Sequence, residues 1–223
     1  MKTLRLTITQ TIRQQSTLLL LATFSICLLL VRAKITHSTF YFFLIWNLFL
    51  AYTPLAVTSY MQNEIRVVDK NRWFYLFFFS WLLLLPNAPY LITDFIHLTK
   101  ASNVPVWFDV LLLISFSLSG LLFGLTSMKQ MFIILAVKFN PFLSWLVMGF
   151  VCLLSGFGIY MGRFLRFNSW DILHRPIALF KTVMESLASA DTFRTAWGLT
   201  LGFGCFLFLL FHLFCLPEKE KNL

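Results

Sequence analysis

Charge is what this sequence has least of. Only 12% of its 223 residues are charged, and Asp and Glu together number nine. A soluble domain of this size needs far more polar side chain to cover itself in water, so that class is excluded. Cysteine is sparse too. The four thiols show no CxxC and no spacing suited to zinc, so Cys27, Cys152, Cys205 and Cys215 read as small buried hydrophobes. No HExxH, GxSxG or glycine-rich phosphate loop occurs, so no familiar hydrolase is signalled. Basic residues are scattered among apolar segments instead of forming a stripe, which argues against a nucleic-acid partner.

What is present is apolar side chain. Hydrophobic residues make up 59% of the chain, Phe alone occurs 27 times, and mean hydropathy is +0.79. This is the composition of a polytopic membrane protein. Eighteen Lys and Arg against nine acids suit anionic headgroups, so membrane lipids are the expected partners. No repeat and no linker divides residues 1–223, which read as a single transmembrane domain. The expected class is all-α: a bundle of six transmembrane helices plus one amphipathic surface helix.

The spans are expected near residues 17–35, 39–60, 73–93, 106–127, 141–162 and 192–216. The first apolar run, Thr17–Val31, imitates a signal peptide, but Arg32 and Lys34 follow where a small-x-small site would stand. Fifteen residues reach about 22 Å, short of the roughly 30 Å hydrocarbon core. Snorkelling of Arg32 and Lys34 would extend the span to Ile35. Thr53-Pro54 predicts a kink in the second span. Ser117, Gly120, Gly124 and Ser127 predict a small-residue seam on the fourth. Met131–Val137, bounded by Lys129 and Lys138, is too short to cross and reads as interfacial. Pro176 opens an amphipathic helix at about 176–189, whose apolar stripe would lie on the membrane surface.

Leu85-Pro86-Asn87-Ala88-Pro89-Tyr90 breaks the rules of the third span. Two prolines remove backbone donors, Asn87 sits between them, and Asp94 and His97 follow three residues apart. Irregular backbone survives in a membrane only when buried in protein or lining a wet cavity. With six crossings, the ends of spans three and five and the starts of two and four emerge on one face. Asn47 then lies roughly 12 Å and Asn87 roughly 9 Å in from it. Asp94, His97 and Asp109 lie nearer the surface, with Arg163, Arg166, Asn168 and Asp171 at the rim. Costly polar residues therefore collect in one leaflet, which marks a candidate site.

Each candidate has a functional and a structural reading. Asp94, His97 and Asp109 form either a carboxylate–imidazole cluster for a divalent metal or acid–base work, or Asp–Arg and His–backbone closures of helix ends. Arg163 and Arg166, on one helical face, form a fork for phosphate or merely neutralise Asp94 or Asp171. Asn47 and Asn87 bind a ligand or bond broken backbone and neighbouring helices.

Loop charges give the orientation. With the N-terminus inside, ten Lys and Arg fall on inner segments (Lys2, Arg5, Arg13, Arg66, Lys70, Arg72, Lys129, Lys138, Lys219, Lys221). Eight fall outside (Arg32, Lys34, Lys100, Arg163, Arg166, Arg175, Lys181, Arg194), five of them in the long fifth link. This favours cytoplasmic termini and a site on the outer face of the cell membrane.

Several motifs carry a resemblance. Trp46-Asn47-Leu48-Phe49-Leu50-Ala51 with Pro54, Leu85–Tyr90 with Thr93-Asp94 and His97-Leu98, Trp107 with Asp109, and Gly162-Arg163-Phe164-Leu165-Arg166 with Asn168–Asp171 are similar to one family. It is the bacterial membrane-protein family catalogued as domain of unknown function 1361, and the resemblance covers roughly residues 40–215. It implies a bacterial multi-pass membrane protein and brings no activity, substrate or catalytic residue. Three functions stay open: binding or processing of an anionic lipid or lipid-linked phosphate, small-solute or ion transport through the helix break, and a non-catalytic assembly role. The polar residues sit at headgroup depth and not at the midplane, where transporter sites usually lie. That places the first reading ahead.

Overall fold

The computed structural model describes residues 2–99, 104–166, 182 and 190–215. Among these, all regular structure is helical: α1 (Lys2–Thr36), α2 (Phe43–Asn63), α3 (Ile65–Asp69), α4 (Asn71–Leu84), α5 (Asn87–Tyr90), a 3₁₀ helix (Leu91–Thr99), α6 (Val106–Lys138), α7 (Pro141–Arg163) and α8 (Ala190–Cys215). Six stretches are long and apolar enough to cross a membrane: Gln15–Thr36, Phe40–Asn63, Asn71–Leu98, Val106–Lys138, Pro141–Arg163 and Phe193–Cys215. The chain is an all-α, multi-pass bundle. Apart from Thr182, the expected surface helix at 176–189, with Asn168 and Asp171, lies outside the described residues.

The bundle is built around α6. Some 61% of its most apolar stretch is buried, against 22–39% for the other five spans. Its first half packs with Leu29 of α1, with Leu44, Leu48 and Ala51 of α2, and with Ala88 and Leu91 of the broken segment. Its second half packs with Trp81 and Leu85, with Met148 and Val151 of α7, and with Phe211 of α8. One helix therefore threads two apolar clusters, one toward each end of the bundle.

Two expectations about helix length are corrected. The fourth span does not stop at Ser127, and Met131–Val137 is not a separate segment but part of the same helix. α6 runs unbroken for 33 residues, about 50 Å at 1.5 Å per residue. Its last turns bury Met131, Ile134 and Leu135. The charges that bound the heptapeptide need no helix end, because long stems carry them outward: Lys138 Nζ reaches the Val68 carbonyl at 2.8 Å. Pro54 lies inside α2, which runs on through it. Its ring leaves the Leu50 carbonyl without an amide donor, and the Thr53 hydroxyl donates to that oxygen at 2.7 Å.

The seam on α6 is real and receives the broken helix. A Cβ on Gly124 would lie 2.8 Å from the Ala88 Cβ, and one on Gly120 would lie 3.0 Å from the Ala88 carbonyl oxygen. Ser117 donates to the Leu91 carbonyl at 2.9 Å, and Trp81 Nε1 donates to Ser127 at 3.3 Å. On the other side Pro86 sits against α7, where a Cβ on Gly158 would fall 2.6 Å from its Cγ. The thiols are less uniform than expected. Cys152 is buried, Cys215 is partly covered, and Cys27 and Cys205 face outward.

Candidate functional site

The proline pair sets the local geometry. Pro86 and Pro89 withhold two amide donors, so the helix loses its α register at residues 85–88 and regains it with the Tyr90 amide on the Pro86 carbonyl at 3.1 Å. It tightens: the Ala88 amide bonds the Leu85 carbonyl at 3.0 Å, one residue short of the α pattern. The Leu84 carbonyl is thereby released, and Asn87 Nδ2 donates to it at 2.8 Å. Asn87 thus bonds broken backbone. Beyond Tyr90 the chain continues as a 3₁₀ helix, in which residues three apart eclipse.

That helix aims Asp94 inward. Asp94 is 1% exposed, and both its oxygens are engaged. Arg163 Nη2, at the end of α7, donates to Oδ1 at 2.6 Å, and Asn47 Nδ2, from α2, donates to Oδ2 at 3.1 Å. The guanidinium is held elsewhere too. Its Nε donates to the Thr93 hydroxyl at 2.9 Å, its Nη2 also bonds that hydroxyl, and its carbon lies 4.5 Å from the Tyr90 ring centroid.

A second node stands at the same end of the bundle. Arg32, closing α1, grips Asp109 in the first turn of α6 in a bidentate pair, Nε to Oδ1 at 2.6 Å and Nη2 to Oδ2 at 3.2 Å. The Tyr41 ring covers this guanidinium at 4.3 Å, and the Tyr41 hydroxyl donates to the His97 carbonyl at 3.1 Å. The nodes have the same parts: a helix-terminal arginine, an aspartate from another helix and a tyrosine face. They differ in access. The Arg32 side chain is 5% exposed and that of Arg163 is 16%.

The expected cluster of Asp94, His97 and Asp109 does not assemble. Among the described residues no group of three His, Cys, Asp or Glu side chains comes together that could hold a metal ion. Each carboxylate has an arginine instead, Asp94 turned toward α2 and α7 and Asp109 toward α1. The His97 ring stands edge-on to Phe40 and Phe43 at 5.9 and 5.2 Å.

Two arginine expectations also change. Arg32 does not snorkel, since it is buried with Asp109. Arg163 and Arg166 do not share a helical face. α7 ends at Arg163, and Arg166 turns into the left-handed region with φ 56, exposed past the helix terminus. Sequence reasoning missed Arg32, Tyr41, Tyr90 and Thr93 as members of the site. Spacing carries no sign of them, because Arg32 and Asp109 are 77 residues apart and Arg163 and Asp94 are 69 apart.

A family model described as protein of unknown function, DUF1361, matches residues 46–210. The matched segment contains the whole Asp94–Arg163 node and leaves out Arg32 and Tyr41. No curated protein and no solved structure matches the chain.

Proposed function

The chain belongs to the DUF1361 family of proteins of unknown function, and from that premise we propose that it binds the phosphate of an anionic or lipid-linked phosphate compound in a cell membrane. Arg163 is the receptor. The observation that carries this reading is the asymmetry between the two nodes. Both guanidiniums are fixed in place, yet only Arg163 keeps part of its side chain at the surface. Thr93, Asp94 and the Tyr90 ring hold Nε, Nη2 and one face, so the remaining donors are oriented before any ligand arrives. The donors left are the two N–H groups of Nη1, held in a fixed plane, which aim at a phosphate oxygen more sharply than a flexible ammonium does. Arg166 and Lys34, both exposed at this end, keep the local balance positive after each aspartate has taken its arginine. With the termini in the cytoplasm, the ligand is in the outer leaflet.

Native mass spectrometry of the purified protein, challenged with phosphatidylglycerol and phosphatidylcholine, tests this. Arg163→Lys keeps a cation beside Asp94 but loses the fixed Nη1 donors. It should reduce retained phosphatidylglycerol several-fold, and Arg166→Ala should reduce it less. If both variants fold and retain the same lipids as wild type, the arginines are structural and the proposal fails.

A further inference from the structure

The opposite end of the bundle carries a groove that the polar site does not use. Phe74, Tyr75 and Phe78 of α4, Leu135 of α6, Phe139 just beyond it, and Leu143, Ser144 and Val147 of α7 line a cavity of about 280 Å³. Every lining residue lies in the first two turns of α4 or α7 or near the end of α6. The groove therefore runs from that face to a depth of about 10 Å, at 1.5 Å per residue. Its floor is closed, with Phe74 1% exposed, while its walls are open, with Tyr75 46%, Phe139 43% and Leu143 39% exposed. All three helices belong to candidate membrane spans.

The link that enters α4 at this end is basic. Arg66, Lys70 and Arg72 are exposed on α3 and at the start of α4. Lys138, with Nζ bonded to the Val68 carbonyl at 2.8 Å and 4.9 Å from the Phe74 ring centroid, stands between this link and the floor. Against these four cations this link sets only Glu64 and Asp69. α4 begins at this end, so the positive end of its dipole points the same way.

We propose that this groove seats one acyl chain of an anionic phospholipid, with the phosphate held at Lys70 and Arg72. An apolar slot that opens to a cationic level within one leaflet matches the two halves of such a lipid: burial of the chain supplies affinity, and charge at the mouth selects the headgroup. The site is separate from Arg163 and lies in the other leaflet, the inner one when the termini are cytoplasmic.

Native mass spectrometry in equimolar phosphatidylglycerol and phosphatidylcholine separates the two parts. Val147→Trp fills the groove from its side and should abolish one retained phospholipid. The pair Lys70→Gln, Arg72→Gln leaves the slot intact, so one lipid should remain with its preference for phosphatidylglycerol reduced at least threefold. Unchanged lipid count in folded Val147→Trp overturns the proposal. So does a wild-type dimer that Val147→Trp converts to monomer, because a second copy then occupies the groove.

Discussion

Replacing Arg32 with Met should be among the most damaging single changes in this molecule. It leaves Asp109, 3% exposed, without the two guanidinium bonds at 2.6 and 3.2 Å that now face its oxygens. A buried charge stripped of its partner costs about 3–5 kcal/mol, and loss of the stacked Tyr41 ring adds on the order of 1 kcal/mol. The lower bound alone lowers the folded-to-unfolded ratio more than about a hundredfold, at 1.4 kcal/mol per factor of ten. Equilibrium unfolding in mixed detergent micelles with increasing dodecyl sulfate, followed by tryptophan fluorescence, measures this. The informative comparison is the double variant Arg32→Met, Asp109→Leu. A buried ion pair replaced by apolar side chains of similar volume is often neutral or stabilising, so the double variant should recover most of the loss. If Arg32→Met costs under about 1 kcal/mol, or the double variant is as unstable as the single, the buried-pair reasoning is refuted.

Two further outcomes are expected. Gly158→Leu should destabilise by about 1–3 kcal/mol in the same assay, because its Cβ would fall 2.6 and 2.7 Å from Pro86 ring carbons in the break; a neutral result would mean that the break moves freely away from α7. Reporter fusions at residues 1 and 223 should lie on one side of the membrane and those at residues 100 and 175 on the other, with the termini cytoplasmic; opposite-side termini would remove the shared face on which the two nodes depend.

The bundle was legible because bilayer thickness and apolar run length act locally along the chain. Trp73 onward reads as a span from its neighbours alone, and Pro86 and Pro89 announce a break wherever they stand. The seam Ser117–Gly120–Gly124–Ser127 was visible as a helical face, although what it receives was not. The errors came from treating charge as a boundary. Lys129 and Lys138 made Met131–Val137 look isolated, yet a lysine stem lets its helix continue, and Lys129 rests its ammonium 5.5 Å from the Phe214 ring centroid. Arg163 and Arg166 looked co-facial because three-residue spacing assumes a helix, and the helix stops between them.

By itself, then, the sequence determined class, span number and the end of the bundle where polar residues gather, since hydropathy and alternation of direction need no knowledge of neighbours. Only the tertiary structure decided who pairs with whom. Asp94 and Asp109 look equivalent in one dimension: each is an aspartate near a helix end, with no arginine within twenty residues of it. Packing around α6 turns one toward Arg163 and Asn47 and the other toward Arg32. A carboxylate excluded from water takes whichever cation the folded chain sets within hydrogen-bond reach, and that is fixed by helix rotation and not by order along the chain.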